Sequence, residues 1–174
     1  MRNHHPRQAR NRPRGFTLIE LMVTLAVLVV LIAIAIPSFD GIRLSTRLSS
    51  YSTALVAGSQ LARSEAIKRN APVTLCASAN GTSCSTNGQW EAGWIVRSDT
   101  QVLRVEPAAA SGYRLREADG ASAIVFQATG LGAGRSSITI CRATPSADQS
   151  RAVSISATGR TTVTRSSGGT CAAT

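Results

Sequence analysis

The pattern of apolar and polar positions begins with a polar, arginine-rich stretch over residues 1–15, followed by an apolar run. The run extends from Phe16 to Ile36, and Glu20 is its only charged residue. Twenty-one helical residues that rise about 1.5 Å each are about 30 Å long, which is the thickness of one bilayer core. The pattern therefore predicts a membrane-spanning helix over 16–36.

Beyond this run, apolar and small side chains recur at steps of three and four residues, as they do on one face of a helix. These positions are Leu44, Leu48, Tyr51, Leu55, Gly58, Ala62 and Ala66. Asn70 suits the left-handed conformation that ends many helices, and Pro72 does not continue a helix. We predict one continuous helix over 16–69, with residues 37–70 as its half outside the membrane.

After Pro72 the apolar positions alternate with polar ones, which is typical of strands with one buried face. The predicted strands are Val73–Ala77, Gly93–Ser98, Gln101–Glu106, Tyr113–Glu117, Ala123–Gln127, Ser136–Arg142, Arg151–Ala157 and Thr161–Arg165. We expect an α+β fold in which the long helix packs on antiparallel sheets, with the β domain over 71–174. Large aromatic side chains are expected in its core rather than on a ligand platform: Trp90, Trp94, Tyr113 and Phe126.

Charge and residue usage argue against an enzyme. The net charge is +10, but five arginines lie in residues 1–15, so the rest of the chain has 14 basic and nine acidic side chains, or +5. Both histidines, His4 and His5, also lie in that leader. Without them the remaining chain has no Ser-His or Cys-His pair and no HExxH zinc motif. We expect no catalytic, metal or cofactor site.

Four cysteines follow the apolar run, and none has the CxxC spacing of a zinc or redox motif. An even number of cysteines after an export signal indicates disulfides in an oxidising compartment. Three pairings are possible, and four free buried thiols are the alternative. We favour Cys76–Cys84, which closes a polar loop, and Cys141–Cys171, which fixes the C-terminal tail.

Three interpretations fit the N-terminus: a secretory signal peptide, in which Ala33-Ile34-Ala35 imitates the cleavage site, a simple membrane anchor, or a processed assembly helix. Only the third explains Glu20, because a carboxylate inside lipid is costly and is usually functional. Cleavage between Gly15 and Phe16 creates an ammonium group at Phe16. Glu20 of one subunit can neutralise that amine in a neighbouring subunit, which removes two desolvation penalties together and sets the axial register.

The segment Gly15-Phe16-Thr17-Leu18-Ile19-Glu20 resembles the processing motif of type IV prepilins and pseudopilins. The resemblance implies cleavage after Gly15 by a prepilin peptidase, N-methylation of Phe16 and an assembly role for Glu20. Pro37 is at the position where these proteins commonly kink their first helix.

A second resemblance covers most of the remaining chain. Ala62-Arg63-Ser64-Glu65-Ala66-Ile67-Lys68-Arg69-Asn70, together with Trp90 and Gly93-Trp94, is similar to GspH/FimT-type minor pilins. It implies the type IV pilin fold. Apart from this resemblance, the simplest interpretation of Arg63, Glu65 and Lys68 is a solvated helix surface with weak local ion pairs.

The family implies two assembly roles: a minor pilin of a type IV pilus, which the basic leader, disulfides and moderately basic domain favour, or a minor pseudopilin of a type II secretion system. The expected location is the inner membrane, with one pass and a periplasmic C-terminal domain, and then the filament. The expected partners are other pilins or pseudopilins, the prepilin peptidase, the inner-membrane assembly platform and membrane lipid.

A third role that the resemblance implies is DNA uptake by weak binding of double-stranded DNA. The candidate residues are Arg142, Arg151, Arg160 and Arg165. The DNA-binding relatives carry a Gly-Arg-x-Arg element, whereas this chain has Gly159-Arg160-Thr161-Thr162. The alternative is that these arginines only keep the surface soluble, as we expect for Arg114 and Arg116 on their strand.

Overall fold

The computed structural model describes residues 15–132, 134–167 and 171, with the side chains of 35–38 left out. The predicted leader, apart from Gly15, and the side chain of Pro37 therefore lie outside the described part. The chain divides into two units, an N-terminal unit that ends at Gly41 and a C-terminal unit that begins at Ile42.

Helix α1 covers Leu18–Arg69 and contributes to both units. Its end has a specific cause at Asn70, whose φ of 49° is the left-handed conformation that the sequence predicts. The Asn70 N–H donates to the Ile67 carbonyl and the Ala71 N–H donates to the Ala66 carbonyl, both at 3.2 Å. These two bonds form a Schellman motif, which satisfies carbonyls that the helix end leaves without partners.

The buried face of α1 in the C-terminal unit is the face that the periodicity predicts. Leu44, Leu48, Leu55, Ala62 and Ala66 are at most 3% exposed. Gly58 is also buried, and a Cβ added there would lie 2.6 Å from the ring of Trp94. The small residues of this face therefore allow the helix backbone to approach the β domain closely.

Eight strands follow the helix, and all eight agree with the predicted strands to within one to two residues at their ends. They are β1 Val73–Ala77, β2 Trp94–Arg97, β3 Val102–Glu106, β4 Tyr113–Glu117, β5 Ala123–Phe126, β6 Ser136–Arg142, β7 Ser150–Ile155 and β8 Thr161–Ser166. A short 3-10 helix, Trp90–Ala92, precedes β2 and was not predicted.

The strands form two four-stranded antiparallel sheets, with the orders β3-β2-β1-β5 and β4-β6-β7-β8. Alternate side chains of the central strands enter one hydrophobic core with the helix; they include Leu75, Ile138, Ile140, Val153 and Ile155. Among the aromatic residues, Trp90, Trp94 and Phe126 are at most 2% exposed, and Tyr113 is half-buried with its ring centroid 5.4 Å from that of Tyr51. The core role predicted for these four residues is confirmed.

Candidate functional site

The N-terminal segment begins with three non-helical residues, Gly15 to Thr17, and α1 follows at Leu18. Thr17 caps the helix, because its hydroxyl accepts a hydrogen bond from the Glu20 N–H at 3.3 Å and its carbonyl accepts one from the Leu21 N–H at 3.1 Å. This cap was not predicted, although Thr17-x-x-Glu20 is the spacing of a capping box. The cap fixes where the helix begins relative to Phe16 and Glu20.

The N-terminal unit presents its apolar side chains outward on every side. Phe16 is 82% exposed, and the large side chains from Leu18 to Ile34 are between 46% and 76% exposed. Within the described residues, α1 is long and apolar enough to cross a membrane. Glu20 is the one charged side chain on this surface among residues 15–34 and is exposed as well. Such a surface needs lipid or other helices to cover it.

Both disulfides that the sequence favours are present in the C-terminal unit. Cys76 on β1 is bonded to Cys84, and Cys141 on β6 is bonded to Cys171. The first closes the loop after β1, which is further ordered by the Asn80 carboxamide oxygen through bonds from the Thr82 and Ser83 N–H groups. The second joins the tail to a central strand of its sheet. All four thiols are thereby paired.

The four arginines considered for DNA binding do not form one surface. Arg151 of β7 and Arg165 of β8 are directly opposite each other, and half-buried Arg142 of β6 is opposite Tyr113 of β4. Arg160 lies in the turn before β8 and lines a separate cavity of about 570 Å³ together with Arg135. The structure thus brings together Arg151 with Arg165, and Arg160 with Arg135, a residue that the sequence analysis did not include.

Glu117 is a buried carboxylate that the sequence analysis also missed, although it lies at an inward-facing position of β4. One oxygen accepts hydrogen bonds from the Asp119 N–H at 2.8 Å and the Ala121 N–H at 2.9 Å, and the other from the Ser136 hydroxyl at 2.9 Å. Burial alone raises its pKa, but these bonds outweigh burial and lower the pKa below its usual range. Glu117 therefore fastens the turn after β4 to the start of β6.

The helix end that resembles minor pilins contains one residue that is more than a solvated side chain. Glu65 does form the expected local ion pairs, with Arg69 at 2.7 Å and Lys68 at 3.6 Å, and the Arg69 hydrogen bond lowers the pKa of Glu65. Arg63 differs, because its Nε donates to the Gly130 carbonyl at 3.0 Å. A Cβ added at Gly159 would lie 3.1 Å from the same Nε. Arg63 therefore bonds α1 to the turn at Gly130 and lies beside the turn at Gly159.

Arg114 and Arg116 are also more than outward-facing surface charges, which corrects the expectation for them. Arg114 Nη1 and Arg116 Nη2 lie 3.2 and 3.5 Å from the same oxygen of Glu91 in the 3-10 helix. The Glu91 side chain is 12% exposed. This cluster connects β4 to the segment that precedes β2, and no local sequence signal indicates it.

Within the described residues, no group of three histidine, cysteine, aspartate or glutamate side chains is arranged to hold a metal ion. The features that dominate are instead an apolar helix with one carboxylate and a cross-linked β domain. These are the features of a structural subunit that associates with other proteins. The arrangement is suited to helix packing and surface contact.

Comparison with known proteins supports this description. The family model described as "Type II transport protein GspH" matches residues 52–159, and the model described as "Prokaryotic N-terminal methylation motif" matches residues 10–36. A comparison with curated proteins finds no match in sequence.

Two solved structures have a similar fold. The type IV minor pilin FimU of Pseudomonas aeruginosa is 21% identical, with a TM-score of 0.56 over 69% of this chain and 90% of the FimU chain. The minor pseudopilin EpsH from the type 2 secretion system of Vibrio cholerae is 11% identical, with a TM-score of 0.50 over 68% of this chain and 96% of the EpsH chain. Both share the long N-terminal helix followed by antiparallel sheets.

Proposed function

The chain belongs to the GspH family, and on that premise we propose that it is a minor pilin that is cut after Gly15, methylated at Phe16 and assembled into a type IV pilus. The apolar helix and its methylation motif indicate membrane anchoring and filament assembly. The finer steps belong to the proposal: processing by a prepilin peptidase, insertion into the inner membrane with the β domain in the periplasm, and delivery to the filament by an assembly platform.

The observation that carries this proposal is the single carboxylate on an exposed apolar helix. The Glu20 backbone N–H is capped by Thr17, but its carboxylate has no hydrogen-bond or ion-pair partner within the described residues. In lipid such a charge is expensive unless it is paired. In our proposal the new ammonium group of Phe16 in a neighbouring subunit supplies that pair, which sets the axial position of one subunit against the next.

Replacing Glu20 tests this role. Glu20→Ala should leave membrane insertion intact, because it removes a charge from lipid, and should lower filament incorporation about tenfold or more, since a lost buried ion pair costs at least about 1.4 kcal/mol. The measurement is the ratio of the subunit in sheared filaments to the subunit in membranes, by immunoblot.

The matched control is Thr24→Ala, one turn further along the same apolar stretch. The Thr24 hydroxyl already donates to the Leu21 carbonyl at 2.9 Å, so no partner in a neighbouring subunit is needed. Its incorporation should equal that of the unmodified chain. Normal incorporation of Glu20→Ala would show that Glu20 has no part in assembly.

A pseudopilin role in type II secretion is the alternative, since the fold is similar to that of EpsH as well as FimU. Deletion of the gene, followed by assays of twitching motility, natural transformation and type II secretion in one strain, separates the two roles. Loss of twitching or transformation with secretion intact supports the pilus. Loss of secretion alone supports the pseudopilin and contradicts our first choice.

The same deletion experiment also tests whether the subunit binds DNA during uptake. Arg160 and Arg135, both exposed, line one cavity with several serine residues and a single acidic residue, Asp119, and this net positive lining favours phosphate contact there over contact through all four arginines of the original set. Transformation lost while piliation stays normal would support DNA binding by this subunit. Normal transformation in the deletion strain would rule out a required role in DNA uptake.

A further inference from the structure

A second cavity, of about 240 Å³, lies within the C-terminal unit where β7 begins and β8 ends beside α1. Its lining includes Ser45 and Leu48 of the helix, Ser150 and Arg151 of β7, and Arg165 and Ser166 of β8. The lining residues carry two positive charges and no negative charge. The cavity is therefore a polar, positively charged space against the helix.

Arg151 is the unusual member of this lining. It is 8% exposed, and within the described residues its Nη2 donates one long hydrogen bond of 3.4 Å to the Ser45 carbonyl. No carboxylate within residues 15–132 and 134–167 forms an ion pair with it. A buried guanidinium without a counter-charge is costly, because it loses its hydration and gains little in return.

Arg165 increases that cost. Arg151 and Arg165 are paired residues of neighbouring antiparallel strands, and like charges directly opposite each other destabilise a sheet. Burial and the charge of Arg165 together lower the pKa of Arg151, although an arginine remains protonated at neutral pH. An anion between the two guanidinium groups relieves both penalties.

We propose that this cavity binds a phosphate group, held by Arg151 and Arg165 with the neighbouring serine hydroxyls as further donors. The guanidinium fork matches the oxygens of phosphate, and two forks with hydroxyl donors fit its several oxygens. The volume of about 240 Å³ accommodates one phosphate group together with ordered water molecules. The same chemistry has two sources, free phosphate and the headgroup of an anionic phospholipid.

The lipid source is suggested by position along α1. Ser45 is nine residues beyond Ile36, the end of the apolar run, and exposed Arg43 and Arg47 flank it on the helix. Basic residues close to a membrane attract anionic headgroups. Duplex DNA fits less well, since its stiff backbone does not readily insert a phosphate against Arg151, a residue that is only 8% exposed.

The test measures thermal unfolding of the full mature chain in maltoside micelles, which contain no phosphate. Inorganic phosphate at about 50 mM should raise Tm by about 2–4 °C over chloride of equal ionic strength, because a ligand that binds only the folded state stabilises it. Dihexanoylphosphatidylglycerol below its micellar concentration tests the lipid source. If the lipid gives the same Tm shift at about one tenth of the phosphate concentration, the ligand is the headgroup. If only inorganic phosphate shifts Tm, the ligand is the free ion.

Variants keep the test specific. Arg165→Gln replaces an exposed side chain, so the fold is retained, and it should weaken the response to phosphate about tenfold. Arg151→Gln should abolish the response, and it also removes a buried charge, so its Tm without phosphate should be equal or higher. Lys68→Gln removes an exposed cation that lines neither cavity, so it is the matched control and should respond as the unmodified chain does.

Three results would overturn the proposal. The first is the absence of a Tm shift with either phosphate source, and the second is a Tm shift that persists in both Arg165→Gln and Arg151→Gln. Retention of duplex DNA that is lost in Arg151→Gln, without any response to phosphate or lipid, would also overturn it. None of these measurements depends on filament assembly, so failure here leaves the pilin proposal intact.

Discussion

At the scale of single residues, several of the few acidic side chains stabilise the fold through hydrogen bonds and ion pairs. Glu117 accepts from two backbone N–H groups and a serine hydroxyl, Glu91 is shared by Arg114 and Arg116, and Glu65 is paired within its own helix. Only Glu117 is both almost fully buried and bound mainly by neutral donors. The stabilisation by Glu117 therefore depends on the negative charge of its own carboxylate, since its partners are neutral donors.

Glu117→Gln should lower the free energy of unfolding by about 2 kcal/mol at pH 7, because the new amide nitrogen is a donor that faces other donors. The folded-state pKa of Glu117 is below that of the unfolded chain, which is about 4.3. The stabilisation is therefore complete above that value and is lost as pH falls through the lower folded-state pKa. Urea unfolding followed by tryptophan fluorescence at pH 7 and pH 3 measures both effects.

The expected result is a difference between the two proteins that is large at pH 7 and small at pH 3. Exposed Asp99, which no ion pair holds in the described structure, gives the control Asp99→Asn, for which a change below about 0.5 kcal/mol is expected. A difference that does not depend on pH would show that the charge of Glu117 contributes nothing.

At the scale of elements, the helix and the first sheet approach each other so closely that any side chain at Gly58 would overpack the core. At Gly58 a Cβ would lie 2.6 Å from the Cη2 and Cζ3 atoms of Trp94, and the Trp94 side chain is itself held in the core. Helix propensity and packing therefore act in opposite directions at this position. The relative magnitudes of these two free energies decide whether an alanine at this position stabilises or destabilises the fold.

Gly58→Ala should lower the free energy of unfolding by about 1 kcal/mol, because overpacking costs about 1–3 kcal/mol and the gain in helix propensity is about 1 kcal/mol. Gly41 is the control on the same helix, since no atom lies within 4 Å of its added Cβ. Gly41→Ala should leave the stability unchanged or raise it by up to about 1 kcal/mol. Stabilisation by Gly58→Ala would mean that Trp94 moves freely.

The elements were largely predictable because their signals are local. The alternation of Ile138 and Ile140 and the periodicity from Leu44 to Ala66 each require only one segment of chain, and Asn70 indicates the helix end by its own conformational preference. The contacts of Arg63, Glu91 and Arg151 join segments far apart in sequence. Sequence pattern does not show which distant segments meet, so these three roles were found only in the structure.

At the scale of the whole molecule, the two units are stabilised in different ways. The N-terminal unit exposes its apolar side chains and needs lipid or other helices, whereas the C-terminal unit has its own core and two covalent cross-links. The cross-links close loops of different length, with sequence separations of 8 and 30. Since a longer loop loses more freedom in the unfolded chain, the two disulfides should contribute unequally.

Replacing Cys141 and Cys171 by serine should lower the free energy of unfolding by about 3–4 kcal/mol, and replacing Cys76 and Cys84 by about 2–3 kcal/mol. Urea unfolding without reductant measures both. The unmodified chain treated in parallel with a reductant is the control and should lose at least as much as the Cys141 and Cys171 variant. Free thiols in the denatured, unreduced chain would contradict the pairing.

The bond between Cys141 and Cys171 also limits how far the subunit can lengthen under tension. When the chain is pulled between its two ends, the force passes from residue 141 directly to residue 171. β7 and β8 lie inside the resulting covalent ring, so they are shielded from the pull. At about 3.6 Å per residue the ring withholds about 100 Å of extension. In an oxidising environment the subunit should therefore extend less before it breaks than its number of residues implies. Reduction of the disulfide should make the additional length available.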